Sequence, residues 1–197
     1  NLTIPENSEG IVIFAHGSGS SRHSPRNQFV AKKLQKDGFA TLLIDLLTSK
    51  EEDIDRITGR LRFDIDLLSK RLITATNWVL DNPDTSNLNI GYFGASTGAA
   101  AALIAATHHP MYIKAVVSRG GRPDLAEHIL NRVQAPTLLI VGGNDPQVID
   151  LNKWAMERMD TKKNLEIVPG ATHLFEEPGK LEEVSRLASE WFKQYLK

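Results

Sequence analysis

Cysteine is absent from the 197 residues, which excludes a disulfide framework, a thiolate metal site and a cysteine nucleophile. Charge of one sign is equally scarce: 23 Lys and Arg stand against 24 Asp and Glu, a formal net charge of −1. A globally basic, nucleic-acid-coating surface is therefore excluded, and no nucleic-acid partner is expected. Long apolar runs are missing too. The most apolar stretch, Gly98 to Thr107, has about half the ~20 residues a membrane span needs, so no membrane partner is expected. The histidines lack ligand spacing such as His-x-x-x-His, so neither a metal nor a cofactor is expected. No basic, then apolar, then small-residue leader opens the chain, whose first residue is Asn1 rather than Met. With the missing thiols, this points to a cytoplasmic location.

What is present suits a globular protein, expected as one domain over residues 1–197. No repeat, low-complexity tract or Pro/Gly/Ser linker divides it. Short apolar runs alternate with amphipathic segments. The runs are Ile11–Ala15, Ala40–Ile44, Asn89–Phe93, Lys114–Ser118, Thr137–Val141 and Asn164–Val168, with Leu2–Ile4 as a further edge strand. Most are apolar almost throughout, as strands covered on both faces should be. Between them, Ser24-Pro25 is an N-cap followed by Pro at the first helical position, and Gly38 supplies a stop. Ile65, Leu68, Leu72, Ala75 and Val79 form one helical stripe, and Leu181, Val184, Leu187, Trp191 and Tyr195 another. A short helix is expected over Asp124–Arg132. The alternation implies an α/β fold, a mostly parallel sheet of about six to seven strands with helices on both faces and no cap domain. In such sheets chemistry gathers at the carboxyl ends of the strands.

The strongest signal there is Gly94-Ala95-Ser96-Thr97-Gly98, directly after one strand and directly before the Ala-rich run Ala99–Ala106. A G-x-S-x-G between strand and helix is the nucleophile elbow, with Ser96 on a tight turn whose small neighbours let helix and strand approach. A serine hydroxyl needs a base within hydrogen-bond reach. His108 and His109 lie at the far end of the helix that Ser96 begins, and His128 falls in a helical segment. His16 reads as part of a backbone loop, and His23 is loop-borne. His173 follows the last strand in Pro169-Gly170-Ala171-Thr172-His173 and is the expected base. Asp145, in Val141-Gly142-Gly143-Asn144-Asp145-Pro146, is the expected acid, with Asp150, Glu176 and Glu177 as alternatives. The chain order Ser…Asp…His agrees with the elbow. For the oxyanion hole, the backbone amides of Thr97 and Ser18 are expected, the latter in the flexible His16-Gly17-Ser18-Gly19-Ser20.

The segments HGSGS (16–20), GASTG (94–98), GGNDP (142–146) and GATHLFEEPG (170–179) together resemble the small α/β hydrolases related to dienelactone hydrolase. The resemblance covers nearly the whole chain and implies an open twisted sheet and hydrolysis through an acyl-enzyme. Dienelactone hydrolases proper carry cysteine where this chain has Ser96. The initial hairpin strands of larger relatives are missing, so the sheet should be trimmed. The run SRGGRPDL (118–125) is similar to a serine-bearing branch that is sometimes joined to phosphoribosyltransferase domains.

The reading is thus a serine hydrolase, a carboxylesterase-like enzyme cleaving a small soluble ester, lactone or thioester. Acyl transfer to another acceptor needs the same three residues. One rival is a nucleotide-binding protein using Gly17-x-Gly19 with Asp45 at the end of the next strand. However, Arg22 occupies the third glycine position, and the helix from Pro25 starts several residues late. A non-catalytic binding module of the same fold is the other. Arg119 and Arg122, beside Gly120-Gly121, are the expected substrate-binding residues for an anionic group. The charged stretch Leu46–Arg62 is expected as a mobile flap.

Overall fold

The computed structural model describes residues 1–197. Seven strands form one sheet: β1 (Leu2–Thr3), β2 (Gly10–Ala15), β3 (Ala40–Leu43), β4 (Asn89–Ala95), β5 (Ile113–Arg119), β6 (Thr137–Gly142) and β7 (Lys163–Val168). Their spatial order is β1-β3-β2-β4-β5-β6-β7. All neighbours are parallel except β1, which pairs antiparallel with the edge of β3 through Leu2 and Thr3. β2 to β6 are almost wholly buried, which explains their unbroken apolar runs, whereas the edge strand β7 is half exposed.

Helices α1 (Pro25–Lys36) and α6 (Lys180–Tyr195) cover one face, with Val30, Leu34, Val184 and Phe192 packed on Phe14, Phe93 and Val117. Helices α2 (Ser49–Thr58), α3 (Ile65–Asp81), α4 (Thr97–His108) and α5 (Pro146–Met156) follow β3, β3, β4 and β6 in turn. Leu68, Leu72 and Val79 of α3 join the alanines of α4 against Ile11, Ile13 and Tyr92 on the opposite face. The α4 helix is buried on every side along Thr97–Ala106, so its alanines match the space between sheet and neighbouring helices. At α1, Ser24 Oγ accepts the Asn27 N–H and Pro25 stands at the first helical position, as the cap pattern predicts.

Two expected segments take a definite form. The short helix expected over Asp124–Arg132 is present as a 3₁₀ helix over Pro123–Arg132, with a non-helical Ala126 inside it. Pro123, Ala126 and Ile129 are all buried, and three residues per turn is the repeat that aligns them. Most of Leu46–Arg62, the expected flap, is α2 followed by a 3₁₀ turn at Leu61–Phe63. Thr48 and Glu51 form a reciprocal capping box at its start, and Arg62 pairs with Asp55 at 2.6 Å near its end.

The chain leaves β2 for β3 on one side and returns to β4 on the other. The strand order reverses between β2 and β4, and the crevice above their carboxyl ends is where open α/β sheets bind ligands. The loops after these two strands carry Ser18 and Ser96.

Candidate active site

Ser96 joins β4 to α4 with φ 50° and ψ −119°. A positive φ is strained for a residue with a side chain and persists only where the surroundings impose it. Here the Ser96 N–H donates to the Arg119 carbonyl at 3.2 Å, and its carbonyl accepts the N–H groups of Ala99 and Arg122, each at 3.1 Å. Gly94 makes the turn possible: a Cβ there would meet the Ala99 Cα at 2.5 Å. Gly17 approaches from β2, where a Cβ would lie 3.1 Å from Ser96 Cβ.

The His173 and Asp145 loops are tied together through the backbone. Gly143 N–H donates to the Val168 carbonyl at 2.8 Å and Asn144 N–H to the Ala171 carbonyl at 2.9 Å. Across this bridge His173 Nδ1 meets Asp145 Oδ2 at 2.7 Å, leaving Nε2 free. Asp145 occupies the N-cap position of α5, yet its side chain caps nothing there and faces the imidazole instead. The ring also packs on Gly120, where a Cβ would come within 3.4 Å of His173 Cε1. Gly120 is only one residue from the carbonyl that holds the Ser96 amide, so Ser96, His173 and Asp145 share one corner of the molecule. Phe175, fully buried with φ 58°, anchors the loop behind His173. The alternative acids are engaged elsewhere or remote: Glu176 pairs with Arg26, Glu177 accepts the Thr172 N–H, and Asp150 is exposed on α5.

Thr97 begins α4, so its amide has no partner inside the helix. Thr97 and Ser18 both border a cavity of about 640 Å³, whose other walls include Ser21, Arg26, Asp55 and Arg62. Its polar lining suits a hydrophilic ligand. Of the predicted site residues only Ser18 and Thr97 line this wall; Ser96, Asp145, His173, Arg119 and Arg122 do not. Arg119 is buried at 6% exposure, with Nε and Nη1 lacking any acceptor. Arg122 spends Nε and Nη2 on Asp124 at 2.9 and 2.8 Å.

The sequence reading missed two features. Asp55 and Arg62 are brought together by the end of α2, with Arg62 Nη1 3.9 Å from where a Cβ on Gly19 would sit. The stretch Leu46–Arg62 that holds them is the expected flap, but the sequence reading singles out neither residue within it. His16 is more than backbone: its ring is buried, Nε2 accepts the Leu46 N–H at 3.0 Å, and Nδ1 donates to the Gly17 carbonyl at 2.9 Å. This clamps the loop after β2 to the exit of β3. Asp45 is held by the Arg22 amide at 2.7 Å and by the Arg22 guanidinium, so it is not free for the ribose of a dinucleotide.

A seven-stranded, mostly parallel sheet with helices on both faces and a serine turn after its central strand is the α/β-hydrolase architecture. The chain belongs to the dienelactone hydrolase family, whose model matches residues 1–196. It is similar to a solved dienelactone hydrolase from Anabaena variabilis, with 62% identity, a TM-score of 0.98, and coverage of 100% of this chain and 91% of that one. Est1E from Butyrivibrio proteoclasticus shares the fold at 16% identity and a TM-score of 0.79, covering 98% of this chain and 92% of its own. Two curated Mycobacterium tuberculosis proteins, provisionally named phosphoribosyl transferases, are 58% identical over 196 residues. The chain is covered completely but spans only 43% of their length.

Proposed function

We propose that the protein is a serine hydrolase that cleaves a small, soluble ester, lactone or thioester through a Ser96 acyl-enzyme. The observation that carries this reading is the 2.7 Å bond between His173 Nδ1 and Asp145 Oδ2, made in the same corner as the strained Ser96 turn. Asp145 holds the imidazole so that Nε2 is the basic nitrogen, and it stabilises the imidazolium once the ring has taken the serine proton. The Ser96 oxygen then attacks the carbonyl carbon, and the oxyanion is met by the amides of Thr97 and Ser18. The proton on His173 passes to the leaving oxygen or sulfur. Water, deprotonated by the same ring, releases the acid and regenerates Ser96. No Ser96–His173 hydrogen bond is needed in the unliganded site, because such bonds often tighten only in the substrate complex.

The chain spans 43% of the mycobacterial relatives, so their phosphoribosyl transferase name does not by itself assign an activity to it. A fluorophosphonate probe tests the hydrolase reading. It should label the protein once, at Ser96, and fail on Ser96→Ala. Replacing Ser96, His173 or Asp145 should lower kcat by roughly 10⁴–10⁶. Labelling at any other serine refutes the assignment.

A further inference from the structure

Arg119 ends β5 on the face covered by α1 and α6. Ala115 and Val117 belong to the core on that side, and alternation along the strand carries Arg119 there as well. Its Nε and Nη1 are buried without an acceptor, Nη2 makes no hydrogen bond, and no carboxylate pairs with it. The charged group acting on it is a like one, Arg26 in the first turn of α1. Burial foremost, and then that repulsion, push its pKa down to about 10, which leaves the guanidinium charged at neutral pH. Arg26 also has a buried Nε without an acceptor, while its Nη1 contacts Glu176 at 2.6 Å. A buried cation with no counter-charge is costly, and a second cation beside it raises the cost.

We propose that Arg119 and Arg26 form a binding site for an oxyanion, a carboxylate or a phosphate, which enters past Arg26 and supplies the missing counter-charge. Guanidinium forks match the oxygens of both groups. Arg26 borders both the large cavity beside Ser18 and a second hollow of about 250 Å³ walled by Phe29, Phe175 and Glu176. Glu176, 60% exposed, yields its place on Arg26 to an incoming anion and turns to solvent. The Arg119 carbonyl holds the Ser96 amide and Glu176 lies three residues past His173, so the bound anion sits behind the candidate catalytic loop. Its source is either an acidic group on the substrate or a free anion. The site itself does not depend on Ser96 being a nucleophile.

Thermal melting of the full chain in inorganic phosphate, at constant ionic strength, tests the site without turnover. Wild type should gain roughly 3–6 °C at a phosphate concentration about ten times the dissociation constant. Arg119→Met should lose this gain and melt higher than wild type without phosphate, because the lone buried charge is gone. Glu176→Gln should reach the full gain at lower phosphate, since the competing carboxylate is removed. Arg119→Lys keeps the charge but not the fork; its weakened response decides the matter if the Met variant does not fold. A pair of matched esters, one with a free carboxylate and one neutral, identifies the source. Phosphate inhibition of the anionic ester alone assigns the site to the substrate's own group. A melting gain without that inhibition assigns it to a free anion. The proposal is overturned if wild type and the Arg119 variants respond equally to phosphate, or not at all, and show the same ratio of kcat/KM for the two esters. If no ester is turned over, the melting comparison alone decides.

Discussion

Gly98, in the first turn of α4, faces Ala15 so closely that a Cβ at position 98 would stand 2.2 Å from the Ala15 carbonyl oxygen. Backbone meets backbone here, so no side chain is available to swing away. Gly98→Ala must therefore push α4 off β2 and carry Ser96 and Thr97 with it. The expected cost is about 1–3 kcal/mol of stability. Fluorophosphonate labelling of the folded variant should also slow. Denaturant unfolding and labelling kinetics measure the two effects, and an unchanged labelling rate would show that the turn does not rely on this contact.

Asp145→Asn keeps the shape of the side chain opposite His173 Nδ1 but removes its charge and favours the wrong tautomer. A fall in kcat of roughly 10⁴ is expected, with little change in melting temperature because Asp145 makes no cap bond to α5. A loss below tenfold would move the acid's role to another carboxylate.

His16 gives a pH dependence of stability. Both of its bonds, from Leu46 N–H to Nε2 and from Nδ1 to the Gly17 carbonyl, require the neutral ring. Burial pushes its pKa below the ordinary 6.5, outweighing the Gly17 bond and the charges of Asp45 and Glu52, which act upward. Once unfolded, the residue takes up its proton near pH 6.5. Between that pH and the lower folded value the unfolded chain binds more protons, so His16's contribution is intact above about pH 6.5 and lost as pH falls. Urea midpoints followed from about pH 7.5 to 5 should drop more steeply for wild type than for His16→Gln. Parallel slopes would assign the acid sensitivity to other groups.

The Tyr92 hydroxyl reaches Thr76 Oγ1 at 2.5 Å inside the core, and the Thr76 hydroxyl donates to the Leu72 carbonyl at 2.9 Å. With its own proton spent, Thr76 accepts from Tyr92. Tyr92→Phe should cost about 0.5–1.5 kcal/mol, whereas Thr76→Val orphans a buried donor and should cost about 1–3 kcal/mol. Denaturant unfolding of both variants gives the order, and a reversed order would mean the opposite donor assignment.

If the proposed acyl group enters the cavity bordered by Ser18 and Thr97, it finds few apolar walls beyond Leu47 and Leu68. Activity should fall as the acyl group of a nitrophenyl ester lengthens beyond about four carbons, because each buried CH₂ gains its ~0.8 kcal/mol only against apolar surface. A rate that climbs on emulsified long-chain lipid would contradict this.

Much of the fold was readable because parallel strands covered on both faces are recorded as apolar runs, and the observed strand bounds lie within one or two residues of the expected ones. The Ser96 turn was readable because its requirements are local: glycine where chain meets chain, strand before and helix after. The α2 helix carried a signal that went unread, since Thr48 and Glu51 are spaced as a capping box. The 3₁₀ form of Pro123–Arg132 was not readable, because three- and four-residue spacings coexist among its apolar positions.

By itself, then, the sequence determined the elements, the serine turn and the order in which candidate residues leave the strands. These follow from local backbone chemistry and burial periodicity. Tertiary structure alone decided that Asp145 and His173, 28 positions apart, meet at 2.7 Å, because only the pairing of β6 with β7 sets their loops side by side. It also separated two arginines that look alike in the chain. Arg119 follows the alternation of β5 into the face covered by α1 and α6, where no carboxylate pairs with it, while Arg122 lies past the strand end and pairs with Asp124. Which neighbour a side chain meets depends on what packs over its face of the sheet, and that is settled by the folded arrangement of all the elements together.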